Sequence, residues 1–207
     1  MNSYIVRSVT FLSALLLVAL VSAEEKKKPK YVKDMPDTDF TKRDLNKKDY
    51  SNYNLENGVF TLCNMKEMVL KGANLRGADF ASASLDKADF TECDLREAKF
   101  DRAGAQAAIF EKADLRGADM SRCSCQKVNF KGADLRNLKG MQDMTDADFT
   151  GADLRGANLQ DAKDYTGKAI FKDAKYDKLT RWPRGYDVEA SGAVLVKTEP
   201  KPEAKKE

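Results

Sequence analysis

Histidine is absent from all 207 residues. The commonest general base and the commonest metal-ligating side chain are therefore missing, and neither a Ser-His-Asp nor a Cys-His arrangement can be assembled. No glycine-rich phosphate loop is present either; the glycines fall singly, at spacings such as Gly72, Gly77, Gly117 and Gly132. A strong excess of one charge is also lacking. The chain carries 36 Lys and Arg against 33 Asp and Glu, a formal net charge of +3, so the placement of charge matters more than its sum. Beyond the first 21 residues no apolar run is long enough to span a bilayer.

The one apolar run is N-terminal. "MNSYIVRS" carries a single Arg and no acid, Val9 to Val21 is almost unbroken, and "VSA" ends at Ala23 with small residues before the polar "EEKKKPK". This reads as a signal peptide over 1–23, cleaved after Ala23. The run of about 13 residues is short of the roughly 20 that an anchor needs, and no Cys follows it to accept a lipid. The mature chain is expected to be exported, to a periplasm, to the outside, or to a thylakoid lumen if the source is photosynthetic. Residues 24–37 read as a charged linker and 197–207 as a disordered charged tail, since Lys, Glu and Pro leave almost nothing to bury.

Between them the sequence repeats. Large apolar residues recur every five positions from Phe40 through Leu45, Tyr50, Leu55 and Phe60 to Leu135, twenty consecutive units. Two positions before each the residue is usually small, as at Ala73, Ala78, Ala83, Ala88 and Ala98. The frame slips by one after Leu135 and resumes at Phe149, Leu154 and Leu159. A period of five fits neither an amphipathic helix nor a plain strand. It demands a corner in every unit, so four units close a 20-residue coil, and a lone coil cannot bury its inward residues.

This A(D/N)LXX pattern resembles the pentapeptide-repeat family over about residues 38–164. The resemblance implies an all-β fold, a right-handed quadrilateral parallel β-helix of about six coils, roughly 30 Å long at ~4.8 Å per coil. Residues 165–196, with Trp182, Pro183 and Tyr186, resemble the aromatic endings that follow repeats in this family, and are expected to cap the last coil. Fold of this kind says little about function.

A 20-residue period puts Leu75, Leu95, Leu115, Leu135 and, after the slip, Leu154 in one column. Phe90, Phe110, Phe130 and Phe149 make a second, and Met65, Leu85, Ala105 and Cys125 a weaker third. Beside the Leu column runs an outward ladder of Arg76, Arg96, Arg116, Arg136 and Arg155, with Asn74, Asp94, Asp114, Asp134 and Asp153 two positions before each. Two readings are open: mutual compensation on a solvated face, or a flat charged face that docks a partner. The slip at 137–145 reads as a surface irregularity or a protruding contact loop.

Four cysteines in an exported chain suggest disulfides, but the frame argues otherwise. Cys63, Cys93 and Cys123 take the small inward position and Cys125 a large one, and no pair is separated by one coil; only Cys123 and Cys125 can approach. Free buried thiols are expected.

No catalytic residue, cofactor or metal site is expected. The function that remains is a non-catalytic exported structural or protein-interaction solenoid, its partner unknown and its oligomeric state open. The alternative comes from the resemblance: some family members mimic a B-DNA rod and bind DNA gyrase. That needs a strongly acidic surface, whereas Thr38 to Asp164 holds 20 Lys and Arg against 22 Asp and Glu, interspersed. No nucleic-acid partner is expected, nor a membrane span after leader cleavage.

Overall fold

A computed structural model describes residues 31–197. The expected leader, the linker up to Lys30 and the tail from Thr198 lie outside the described residues. Within them the chain pairs with itself one coil later. Asp39 opposes Val59, Asp79 opposes Lys99 and Asp114 opposes Asp134, always in parallel. Two-residue strands occur only near the ends, β1 (Lys33–Asp34) paired with β2 (Tyr53–Asn54), and β3 (Lys175–Tyr176) with β4 (Val194–Leu195). Among the described residues no helix is long and apolar enough to cross a membrane.

The five-residue unit becomes one side and one corner. The large residue's N–H donates to the following coil, as Leu75 does to the Asp94 carbonyl at 2.8 Å, and the residue before it donates to the preceding coil, as Asn74 does to Tyr53 at 2.9 Å. Three residues after each large residue an N–H turns back onto its carbonyl, Ala78 to Leu75 at 3.0 Å, and closes the corner. The residue inside that corner is left-handed. Glycine takes this position at Gly72, Gly77, Gly117 and Gly132, but Lys47, Glu67, Lys87 and Ala107 take it too, with φ of 55–58°. For an L-residue that conformation costs roughly 1–2 kcal/mol, so the inter-coil ladder imposes it.

The core is columnar. Phe40, Phe60, Phe80 and Phe100 stack at 4.9–5.0 Å, and Phe90, Phe110, Phe130, Phe149 and Phe171 at 4.7–5.3 Å. The two columns lie on opposite sides and meet edge-on, Phe80 and Phe90 at 5.6 Å and 85°, the arrangement aromatic quadrupoles favour. The Leu column, from Leu55 to Leu154, is fully buried. Opposite it stand Met65, Leu85, Ala105, Cys125 and Met144, equally buried but smaller in the middle.

At the slip the structure shows no protruding loop. The coil is one residue short: Ser124 pairs with Asp143 and Lys139 with Asn158, 19 residues on. Gly140 turns left-handed at φ 62°, and Met141 fills the interior at 2% exposure. Past Asp164 the coils lengthen: Asp148 pairs with Ile170 and Asp153 with Lys175, 22 residues on, and Asn158 with Arg181, 23 on. Trp182 and Tyr186 stack on each other at 5.5 Å and both meet the last core ring, Phe171, edge-on at 5.1 and 5.5 Å.

Candidate interaction faces

Where Asp or Asn stands before the large residue, it has a backbone role. The first residue of every corner has an N–H that no carbonyl reaches. Asp39 Oδ1 accepts it from Thr41 at 2.8 Å, Asp79 Oδ1 from Ala81 at 2.9 Å and Asp119 Oδ1 from Ser121 at 3.0 Å. These are Asx turns. Where Ser or Thr follows, its hydroxyl adds a second bond, Thr91 to Asp89 and Thr150 to Asp148 at 2.6 Å.

On the Leu face the same carboxylates also grip arginine. Arg96, Arg116, Arg136 and Arg155 each fold back on the Asp two residues earlier. Nε donates to one oxygen at 2.7–2.8 Å and Nη2 to the other at 2.5–2.6 Å. Each of the first three also faces the Asp one coil on, at 3.6–3.8 Å. The bonds that Arg96 donates to Asp94 push its guanidinium above its usual value, and the other three arginines shift the same way for the same reason. Burial would raise Asp153, but the bonds and charge of Arg155 hold it below its ordinary 3.8. Arg76 stands apart: with Asn74 before it, it pairs instead with Glu97 at 3.5 Å. Asn74 donates to Asn54 Oδ1 at 2.7 Å.

The opposite face carries Asn64, Ser84, Gly104 and Ser124 where the Leu face carries Asn and Asp. With no carboxylate there, the N–H groups of Asp86, Gln106 and Gln126 find no acceptor among the described residues. The adjacent left-handed corner runs Lys47, Glu67, Lys87, Ala107, Lys127 and Asp146 up successive coils. Charge alternates along it except at Ala107. Lys47 and Glu67 pair at 3.8 Å and Lys66 and Asp86 at 3.1 Å, while Lys87 and Lys127 form no ion pair among the described residues. Here a groove of about 410 Å³ opens, lined by Lys66, Glu67, Asp86, Lys87, Gln106, Ala107 and Lys127. None of this was named from the sequence. The charge at every twentieth position, read corner by corner, was the available signal.

All four cysteines are free and buried. The Cys125 thiol donates to Cys123 Sγ at 3.6 Å. That bond, together with burial, raises the Cys125 thiol well above its ordinary value. Among the described residues no three His, Cys, Asp or Glu side chains are placed to hold a metal ion.

Comparison with known proteins agrees with the repeat. A model described as pentapeptide repeat region matches residues 33–108, and one described as pentapeptide repeats in eight copies matches 98–137 and 142–163. No curated protein sequence matches the chain. Among solved structures it is similar to QnrB1, a plasmid-mediated fluoroquinolone resistance protein, at 16% identity and TM-score 0.39, covering 79% of this chain and 93% of that one. It is also similar to a pentapeptide repeat protein of the Arabidopsis thaliana thylakoid lumen, at 29% identity and TM-score 0.34, covering 64% and 68%. HetL of Nostoc sp., involved in heterocyst differentiation regulation, matches at 20% identity and TM-score 0.24, covering 74% and 94%. With its five-residue units wound into a right-handed quadrilateral β-helix, the chain belongs to the pentapeptide-repeat family.

Proposed function

We propose that this chain is a non-catalytic, exported interaction rod, which holds a partner protein against one of its side faces. The observation that carries the reading is how its carboxylates are used. Among the described residues every Asp whose titration shifts is held down, not up: Asp39, Asp49, Asp89, Asp143, Asp148 and Asp153. A general acid needs the opposite shift and a cleft to hold its substrate. These carboxylates instead hold corners and arginines. A DNA-mimic role finds no support on the Leu face, because each Asp94-type carboxylate there is neutralised by its own arginine rather than displayed as a phosphate would be.

Export rests on the sequence alone, and protein recovered from outside the cytoplasm should begin at Glu24. An intact Met1 on a soluble cytosolic protein would overturn it. Binding is tested by immobilising purified protein and exposing it to the exported fraction of its source. A partner should be retained saturably; retention of nothing above a bare matrix would sink the reading. Joint replacement of Arg96, Arg116 and Arg136 by Ala then locates the docking face. Lost capture with an unchanged melting temperature would place docking on the charged face, and kept capture would place it elsewhere.

A further inference from the structure

We propose that the groove at Gln106 and Ala107 receives a carboxylate side chain from an acidic segment of the partner protein, seated between Lys87 and Lys127. The inference rests on the interaction-rod reading and deepens it by naming the face and the chemistry of what docks there.

Two features coincide at one coil: a corner N–H without an acceptor, shared with the coils on either side, and a break in the alternating corner charge found only here. At the side position Gly104, between Ser84 and Ser124 on the neighbouring coils, carries no side-chain oxygen, so the Gln106 N–H lacks the acceptor that Thr41, Ala81 and Ser121 receive from their own chain. At the corner, Ala107 stands where alternation calls for an anion, and Lys87 and Lys127 flank it from the coils on either side. Those two ammonium groups hang from corners about 10 Å apart, two coil steps of ~4.8 Å, a gap that one carboxylate can bridge electrostatically. The space is open: a Cβ on Gly104 would meet nothing nearer than Asp86 Oδ1 at 3.8 Å. An entering carboxylate would accept the Gln106 N–H as an Asx side chain does and complete the charge ladder. Uncapped N–H groups at Asp86 and Gln126 continue the same row along the axis. That favours an extended acidic segment over a single small anion.

The test uses a fluorescein-labelled peptide of consecutive glutamates flanked by Gly-Ser, with binding read by anisotropy at low and physiological salt. The purified protein should bind it, more weakly as salt rises. Ala107→Glu places the missing anion on the chain itself. The fold accepts glutamate in this conformation, as at Glu67, Glu92 and Glu97 with φ of 55–63°, so the melting temperature should hold or rise. Peptide affinity should drop by about tenfold or more, as for loss of a close charge pair. Gly104→Asp should do the same by capping Gln106 from within, and Lys87→Gln with Lys127→Gln by removing the cations. Ser82→Glu makes the same charge change in the same left-handed conformation, φ 57°, at another corner, and should shift affinity by less than about twofold. No binding by the unsubstituted protein at low salt overturns the proposal. So does equal loss from Ser82→Glu and Ala107→Glu, which would mean diffuse attraction only. If the exported partner is captured equally with and without Ala107→Glu, the groove is wrong while the interaction-rod reading stands. If no partner is captured yet the peptide binds and responds as above, the groove stands and that reading falls.

Discussion

Two opposite faces of one solenoid use the same backbone and treat charge in contrary ways. On the Leu face, each of Asp94, Asp114, Asp134 and Asp153 caps its own corner N–H and holds its own arginine. The ladder that stands out in the sequence is occupied with the protein's own structure. On the opposite face, over a core thinned to Ala105 and Cys125, the corner N–H groups after Ser84, Gly104 and Ser124 find no acceptor and Lys87 and Lys127 no ion pair among the described residues. A regular ladder of charge is thus weaker evidence for a docking surface than the place where regularity stops. A self-compensated face has little charge left for a partner, while an interrupted one leaves polar groups that only solvent or a partner can satisfy.

The comparison breaks most directly in the core. Leu115→Ala, mid-column between Leu95 and Leu135 at 0% exposure, should cost about 2–5 kcal/mol, as buried leucine deletions do. Cys125→Ala on the opposite side removes one heavy atom from a position already small and should cost about 1 kcal/mol. Urea unfolding of both variants measures the ratio; near-equal losses would mean the faces do not differ in packing. The four thiols should resist alkylation in the folded protein and all react once it is unfolded without reductant, counted by mass. Rapid native labelling of Cys123 or Cys125 would contradict their burial.

Next in size is the double duty of the aspartates. Asp114→Ala removes both the Arg116 pair and the corner acceptor and should cost about 1–2 kcal/mol. Asp114→Asn keeps the amide oxygen that Asn74 uses on the coils below, at 3.3 Å from the Arg76 N–H, and should cost less than about 1 kcal/mol, the scale of an exposed ion pair. Titration sharpens the point. Asp89, Asp148 and Asp153 are held below 3.8 in the folded chain, so their contribution is present above the ordinary carboxylate value and is lost as pH falls through the lowered one. The melting temperature should therefore drop on acidification below about pH 4, less steeply for Asp153→Asn. A profile indifferent to that substitution would remove the Arg155 pair from the account.

What was legible in the sequence follows from what repeats. The five-residue spacing of apolar and small residues exposed the coil, the Leu column and the buried thiols, because burial imposes a residue type at each inward position. The column of Phe40, Phe60, Phe80 and Phe100 was there in the spacing but ends in Met120, so its aromatic stack emerged only with the rings in place. The corner-capping role of the aspartates was hidden, since a side chain bonding to its own backbone leaves the same letters as a surface charge. Arg76 looked like one rung among five until Asn74 sent it to Glu97. The lengthened coils after Asp164 were masked because inserted residues break the period while pairing continues above them. The groove was masked for the opposite reason: Gly104 and Ala107 are small residues in a sequence full of small residues, and their meaning lies in what neighbouring coils carry.

The smallest effect separates two glycines on the Leu side. Both Gly77 and Gly117 are left-handed, with φ of 68° and 69°. Beside Gly77 the Asn57 amide leaves no room, since an added Cβ would lie 2.5 Å from its Oδ1, whereas nothing lies within 4 Å of one at Gly117. Conformational strain alone costs roughly 1–2 kcal/mol per left-handed L-residue, and asparagine tolerates that region better than most. Gly117→Asn should therefore lose less than about 1 kcal/mol, the more so because Asn137 takes the same position one coil on at φ 58°. Gly77→Asn should lose measurably more, because the Asn57 side chain must first move. Thermal melts of the two variants side by side decide it. Equal losses would mean that only backbone conformation matters at these corners, and that side chains one coil apart do not read each other's size.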